Sequence, residues 1–133
     1  MKARRTNGWR RAAGRLLAGI VLAAAVIAGT SSPASAATTA TFTNGVLTVF
    51  GDGANNSIVI SRDAAGKILV NNGAVAVVGG TPTVANTTLI QVFGQAGNDT
   101  ISLNETNGAL PRANLFGGIN NDTLTGGSGA DRV

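Results

Sequence analysis

The tail of this chain repeats itself at very short range. From Gly117 it reads Gly-Gly-Ile-Asn-Asn-Asp-Thr-Leu-Thr and from Gly126 it reads Gly-Gly-Ser-Gly-Ala-Asp-Arg-Val, a nine-residue period of the form G-G-x-G-x-D-x-U-x in which U is a large aliphatic residue. The second unit stops one residue short of closing. A unit this small is a tight turn followed by a short strand with one apolar side chain. It cannot bury that side chain alone, so copies must stack on one another. The x-U-x segment places Leu124 and Val133 in the expected interior.

Aligning the chain on itself extends the pattern upstream. Leu47-Thr-Val-Phe-Gly-Asp-Gly-Ala-Asn-Asn-Ser-Ile-Val-Ile60 matches Ile90-Gln-Val-Phe-Gly-Gln-Ala-Gly-Asn-Asp-Thr-Ile-Ser-Leu103, and Ala113-Asn-Leu-Phe-Gly-Gly-Ile-Asn-Asn-Asp-Thr-Leu-Thr125 matches both. Each copy reads as a strand, a Phe-Gly corner, a six-residue turn and a second strand. Between the first two copies, Ser61 to Val78 reads as strands separated by Asp63-Ala-Ala-Gly66 and Asn71-Asn-Gly73. The expectation is an all-β fold: a right-handed β-roll or short parallel β-solenoid. An antiparallel β-sandwich of short strands is the alternative, because both of those turns also suit hairpins.

The nine-residue period resembles the RTX, or haemolysin-type, calcium-binding repeat, and the resemblance runs over Leu47 to Val133. It implies glycines at the first, second and fourth positions that let the backbone turn tightly with carbonyls facing a cation, and a sixth-position Asp that supplies charge. Calcium takes six to eight oxygens, so one turn provides about half a shell and a stacked neighbour must provide the rest. Three turns carry the Asp: Gly94 to Asp99 with Gly97 at the fourth position, Gly117-Gly118 to Asp122 with Asn120 there, and Gly126-Gly127 to Asp131 with Gly129 there. Asn tolerates positive φ better than other side-chain-bearing residues, so Asn120 is an acceptable substitute. The earliest turn, Gly51 to Asn56, carries Asn56 in place of Asp.

In the RTX-type arrangement two nonapeptides make one coil, so stacked turns lie two repeats apart. Gly117 and Gly126 are then on opposite sides. Gly94 and Gly117 are 23 residues apart, one eighteen-residue coil plus five, and an insertion between Asn104 and Ala113 leaves their turns stacked. The pair Asp99 and Asp122 is the preferred Ca2+ site, and Asp131 is expected to lack a same-side partner. Asp52, Asp63 and Glu105 fall off the sixth position and read as solvated turn residues. Phe50, Phe93 and Phe116 each precede the first Gly of a turn and should form a ladder at the corner.

The charge balance, 10 Lys and Arg against 6 Asp and Glu, hides an asymmetry. Lys2, Arg4, Arg5, Arg10, Arg11 and Arg15 precede an apolar run from Leu16 to Gly29, which is followed by Ser31-Ser-Pro-Ala-Ser-Ala36. This is the pattern of a secretory signal peptide over residues 1–36, cleaved after Ala36. Fourteen apolar residues are short for a bilayer span, so contact with a membrane is expected only during export. The remaining 133 − 36 = 97 residues carry 4 Lys and Arg and 6 Asp and Glu, a net charge of 4 − 6 = −2. No basic patch is left to bind nucleic acid.

The chain has no Cys, although small exported domains often depend on disulfides, so a bound metal is the natural staple. Residues 37–89 are expected to form a degenerate N-terminal β region and residues 90–133 the calcium-binding repeats. The expected function is a secreted, non-catalytic calcium-binding module, with calcium coupled to folding. An extracellular structural or adhesive protein with a cell-surface or matrix partner is the alternative. A β-helix acting on polysaccharide is the enzymatic one, disfavoured because residues 37–133 contain no His, Cys, Tyr or Trp.

Overall fold

The computed structural model describes residues 36–133. The expected leader, residues 1–36, lies outside the described residues except for Ala36. Within the described part there are nine strands: β1 (Thr39–Thr43), β2 (Val46–Phe50), β3 (Ser57–Arg62), β4 (Ile68–Val70), β5 (Val77–Val78), β6 (Leu89–Ala96), β7 (Thr100–Asn104), β8 (Ala113–Ile119) and β9 (Thr123–Thr125). One 3-10 turn, Asn71–Gly73, is the only helical element among the described residues. The fold is all-β.

The strands form two sheets, in the orders β5-β1-β2-β6-β8 and β4-β3-β7-β9. Three times the chain passes from the first sheet into the second: β2 to β3 across six residues, and β6 to β7 and β8 to β9 across three each, because β6 and β8 run on through the first half of the turn. Like strands pair parallel. Leu47 lies against Ile90 and Ile90 against Ala113, while Ile58 lies against Ile101 and Ile101 against Leu124. These are the partners that self-alignment lines up, at offsets of 43 and 23 residues. Strands from both sides of residue 89 share each sheet.

Parallel pairing reaches β1 as well, which lies along β5 with Ala40 against Val77 and Thr41 against Val78, but two strand pairs run the other way. β1 turns back on β2 through Asn44-Gly45, whose φ values of 50° and 77° give a two-residue connection with both residues left-handed. β4 turns back on β3 through Asp63–Gly66, where Asp63 accepts the Lys67 amide. The sheets are therefore mixed: among the strands the antiparallel arrangement is that of these two hairpins, joined by isolated antiparallel bridges from Lys67 to Thr83 and from Val70 to Val75.

Residues alternate between core and surface, as a strand with one covered face requires. Leu47, Val49, Ile90, Val92, Ala113 and Leu115 point inward from the first sheet, and Ile58, Ile60, Ile101 and Leu103 from the second, in one apolar cluster. Each such Val, Leu or Ile contributes about 1.5–3 kcal/mol by leaving water. Leu124 packs partly buried against the cluster, as expected. Val133 does not: it is 63% exposed. It follows an isolated bridge from Arg132 to Asn114, with a strand neighbour on one side only, so nothing closes over its side chain.

Candidate metal centre

The turns Gly51–Asn56, Gly94–Asp99 and Gly117–Asp122 stack at one end of the sheets, bound together by two parallel rows of hydrogen bonds. In one row the Asn98 amide donates to Asn55 Oδ1 (2.8 Å) and the Asn121 amide to Asn98 Oδ1 (3.1 Å). In the other the Asn56 amide donates to Asp99 Oδ1 (2.8 Å) and the Asp99 amide to Asp122 Oδ1 (2.9 Å). Each sixth-position carboxylate thus reaches across to the turn before it. The Asp99 and Asp122 turns are brought together.

The glycine pattern has two causes. At the fourth position Gly97 has φ of 105° and Asn120 takes the same left-handed conformation at 85°, as Asn can. At the first position the reason differs from the expected positive φ, because neither Gly94 nor Gly117 has it. What these glycines supply is room. The place a Cβ would occupy on Gly94 is filled by Asp99 Oδ2 and lies 2.5 Å from the Gly117 carbonyl oxygen, and on Gly117 it is filled by the Asp122 carboxylate. Asn56 Oδ1 stands in the equivalent place over Gly51, at 2.8 Å.

Asp99 is the most unusual member. It is 1% exposed, and its Oδ2 is buried with no hydrogen-bond partner. A buried carboxylate oxygen left unpaired costs several kcal/mol unless a positive charge or a donor faces it. Among the described residues no three His, Cys, Asp or Glu side chains converge, so an ion here would take most of its ligands from backbone oxygens. That donor set is hard oxygen throughout and fits calcium or another hard cation rather than a thiophilic metal. The donors present fit the expected ion in kind: Asp99 Oδ2 and the Gly117 carbonyl oxygen would hold it, with the Asp122 carboxylate in the same position of the next turn of the stack.

The third turn, Gly126–Asp131, leads from β9 back to the first sheet, so it sits at the opposite end from Gly117–Asp122, as expected. It matches the repeat at every Gly position, yet Gly126, Gly127 and Gly129 all avoid positive φ. Asp131 closes on its own turn, accepting the Gly127 amide at Oδ2 (2.6 Å) and the Ala113 amide at Oδ1 (2.7 Å). The turn is not left without a facing carboxylate. Glu105 accepts the Leu110 amide at Oε1 (2.9 Å) and the Ser128 amide at Oε2 (2.8 Å), and a Cβ on Gly127 would lie 2.5 Å from Oε1.

Glu105 and Asp52 are the carboxylates that the repeat pattern overlooks. Glu105 is held below the usual carboxylate range chiefly by the Leu110 amide and then by Ser128. Asp52 is lowered first by the Ala37 amide, then by the Asn56 side chain and the Ala54 amide. Neither is a merely solvated turn residue. The fifth-position column Asn55, Asn98 and Asn121 falls outside the calcium-repeat pattern, and its sequence signal is the identity of that position in all three aligned turns.

The aromatic corner is present. Phe50, Phe93 and Phe116 stack with ring centroids 5.0 and 4.9 Å apart and interplanar angles of 17° and 9°. Their in-register pairing across β2, β6 and β8 locks the same alignment as the turns.

Set against family models, curated proteins and solved structures, the chain gives no match in any of the three.

Proposed function

We propose that this chain is a secreted, non-catalytic calcium-binding module of the RTX type, a short right-handed β-roll in which calcium is part of folding. The observation that carries the reading is the buried Asp99 Oδ2, unpartnered over Gly94 and beside the Gly117 carbonyl, in a turn stacked on a second whose Asp122 carboxylate fills the same place over Gly117. A site of the 10⁻⁴ to 10⁻³ M class would fill in calcium-rich extracellular fluid and stay empty in a cytoplasm. The basic, then apolar, then small-residue leader supports export, and the three successive passages between parallel-paired sheets support the roll. An extracellular scaffold is compatible with the same chemistry, since an ion between turns stiffens whatever surface they carry.

The test is a calcium titration of the exported protein, followed by circular dichroism and thermal melting. Calcium at about 100 times its dissociation constant should add about 2.7 kcal/mol to stability. A domain of this size should then melt roughly 10–20 °C higher. A melting temperature that stays fixed as calcium rises through the millimolar range sinks the metal reading.

A further inference from the structure

The first turn of the stack differs from the other two in charge: Asn56 stands where Asp99 and Asp122 stand in theirs. Its carboxylate is Asp52, which gathers three donors. Asp52 Oδ1 accepts the Ala54 amide (2.9 Å) and the Asn56 side-chain amide (2.8 Å), and Oδ2 accepts the backbone nitrogen of Ala37 at 2.7 Å. Beside it, the Thr38 hydroxyl lies 3.5 Å from Asn56 Oδ1. The start of the described chain is therefore pinned to the first turn by the nitrogen of one particular residue.

That nitrogen belongs to the residue that follows Ala34-Ser35-Ala36. Hydrolysis of the Ala36–Ala37 bond consumes one water, leaves a carboxylate on Ala36 and turns the Ala37 amide into an α-amino group. That group is protonated at neutral pH, with an ordinary pKa near 7.7. We infer that leader removal creates an ion pair at the surface of the turn stack: the new Ala37 ammonium docks on Asp52 and caps the one turn that lacks a sixth-position carboxylate.

The inference rests on the export reading, and it is independent of calcium. A single neutral donor becomes a full charge with three donors on the same nitrogen, so the precursor and the processed chain differ in how firmly the first turn is held. Such charge-assisted contacts are the strong class of hydrogen bond. No second charged residue intrudes from the neighbouring turn, where Gln95 and Ala96 face the Gly51 and Asp52 carbonyls. The next carboxylate is Asp99, reached only through Asn56, whose side chain donates to Asp52 and whose backbone amide donates to Asp99.

Proton linkage gives the sign. An ammonium that gains a partner on folding has a raised pKa, so its contribution is complete below about 7.7 and is lost as pH rises through the raised value. The processed protein should thus lose melting temperature between roughly pH 7 and pH 9, and Asp52→Asn should flatten that slope.

The experiment expresses the full-length precursor in a secreting bacterial host and sequences the N-terminus of the exported product. The α-amino group is then titrated by NMR, with and without calcium. The expected result is a chain beginning at Ala37 whose α-amino pKa lies about half a unit or more above 7.7 and returns to that value in Asp52→Asn. A chain carrying one extra N-terminal Ala keeps Asp52 intact but moves the ammonium out of reach. It too should titrate normally, which guards against an Asp52→Asn protein that fails to fold. A product starting at any other residue, or an α-amino pKa equal in all three chains, overturns the inference. Calcium-independent melting alongside a raised α-amino pKa sinks only the metal reading. An ordinary α-amino pKa alongside calcium-dependent melting sinks only this one.

Discussion

The two ends of the sheets solve the same problem in different ways. At one end the turn recurs three times with Asn at the fifth position each time, and its amides and side-chain oxygens form straight rows. At the other end unlike connections meet, among them the Asp63–Gly66 hairpin, the Glu105–Leu110 loop and the Gly126–Asp131 turn. Long side chains bind these together, with Arg62 donating to the Ala109 carbonyl (3.2 Å) and the Asn107 side-chain amide to the Arg62 carbonyl (2.9 Å). Repetition concentrates oxygens in one column and leaves Asp99 Oδ2 over-supplied with acceptors. Irregularity lets every carboxylate find amide donors. The closest match to the nonapeptide thus lies at the end whose carboxylates are already satisfied.

The sharpest way to break this contrast is to remove the room at the regular end. Gly94→Ala would push a methyl group into Asp99 Oδ2 and the Gly117 carbonyl, and should cost about 3 kcal/mol or more by urea denaturation. Gly53→Ala, in the first turn with nothing within 4 Å, should stay within about 0.5 kcal/mol. Equal costs would mean that the turns are looser than described.

Asp99→Asn should change sign with the medium. It removes an unpaired buried charge, so in chelator the variant should equal or exceed the parent in stability; with calcium it should forfeit most of the gain of about 2.7 kcal/mol. Thermal melting under both conditions decides, and a variant that keeps the full calcium response removes Asp99 from the site. Phe93→Leu breaks both stacked pairs of the corner at once. At about 0.5–1.5 kcal/mol per pair it should cost roughly 1–3 kcal/mol, independent of calcium.

The smallest effect belongs to the irregular end. Glu105 has a lowered pKa, so its contribution is present above the ordinary value of 4.5 and fades as pH falls through the lower, folded value. Glu105→Gln should therefore reduce stability at neutral pH slightly and make the acid limb of the melting profile shallower, whether or not calcium is added. A calcium-dependent Glu105→Gln effect would erase the difference between the two ends.

Strand positions, the three-way register and the Phe corner were legible because each depends on local alternation and on residues that recur in the aligned copies. The stacking of Asp99 on Asp122 was legible for the same reason, since a five-residue insertion away from the turns does not disturb them. What could not be read was anything that depends on a non-repeating partner. Glu105 meets Ser128 across 23 residues of dissimilar sequence, and Asp52 meets Ala37 across 15. The position-one glycines were legible as necessary, but their reason is an approach by a side-chain oxygen, which φ preference does not foretell. Val133 fits the period and still faces water, because burial needs neighbours on both sides.

The offsets between paired strands also bear on how the molecule assembles. β6 waits 23 residues for β8, whereas β2 waits 43 for β6. Closing the longer loop costs about 0.6 kcal/mol more in chain entropy, and contacts that span more sequence form more slowly. Of the two joins, the later-made one, between β6 and β8, should therefore close first. The β1–β2 hairpin, made first by the ribosome and closed by two residues, would then serve as a prefabricated lid that docks last.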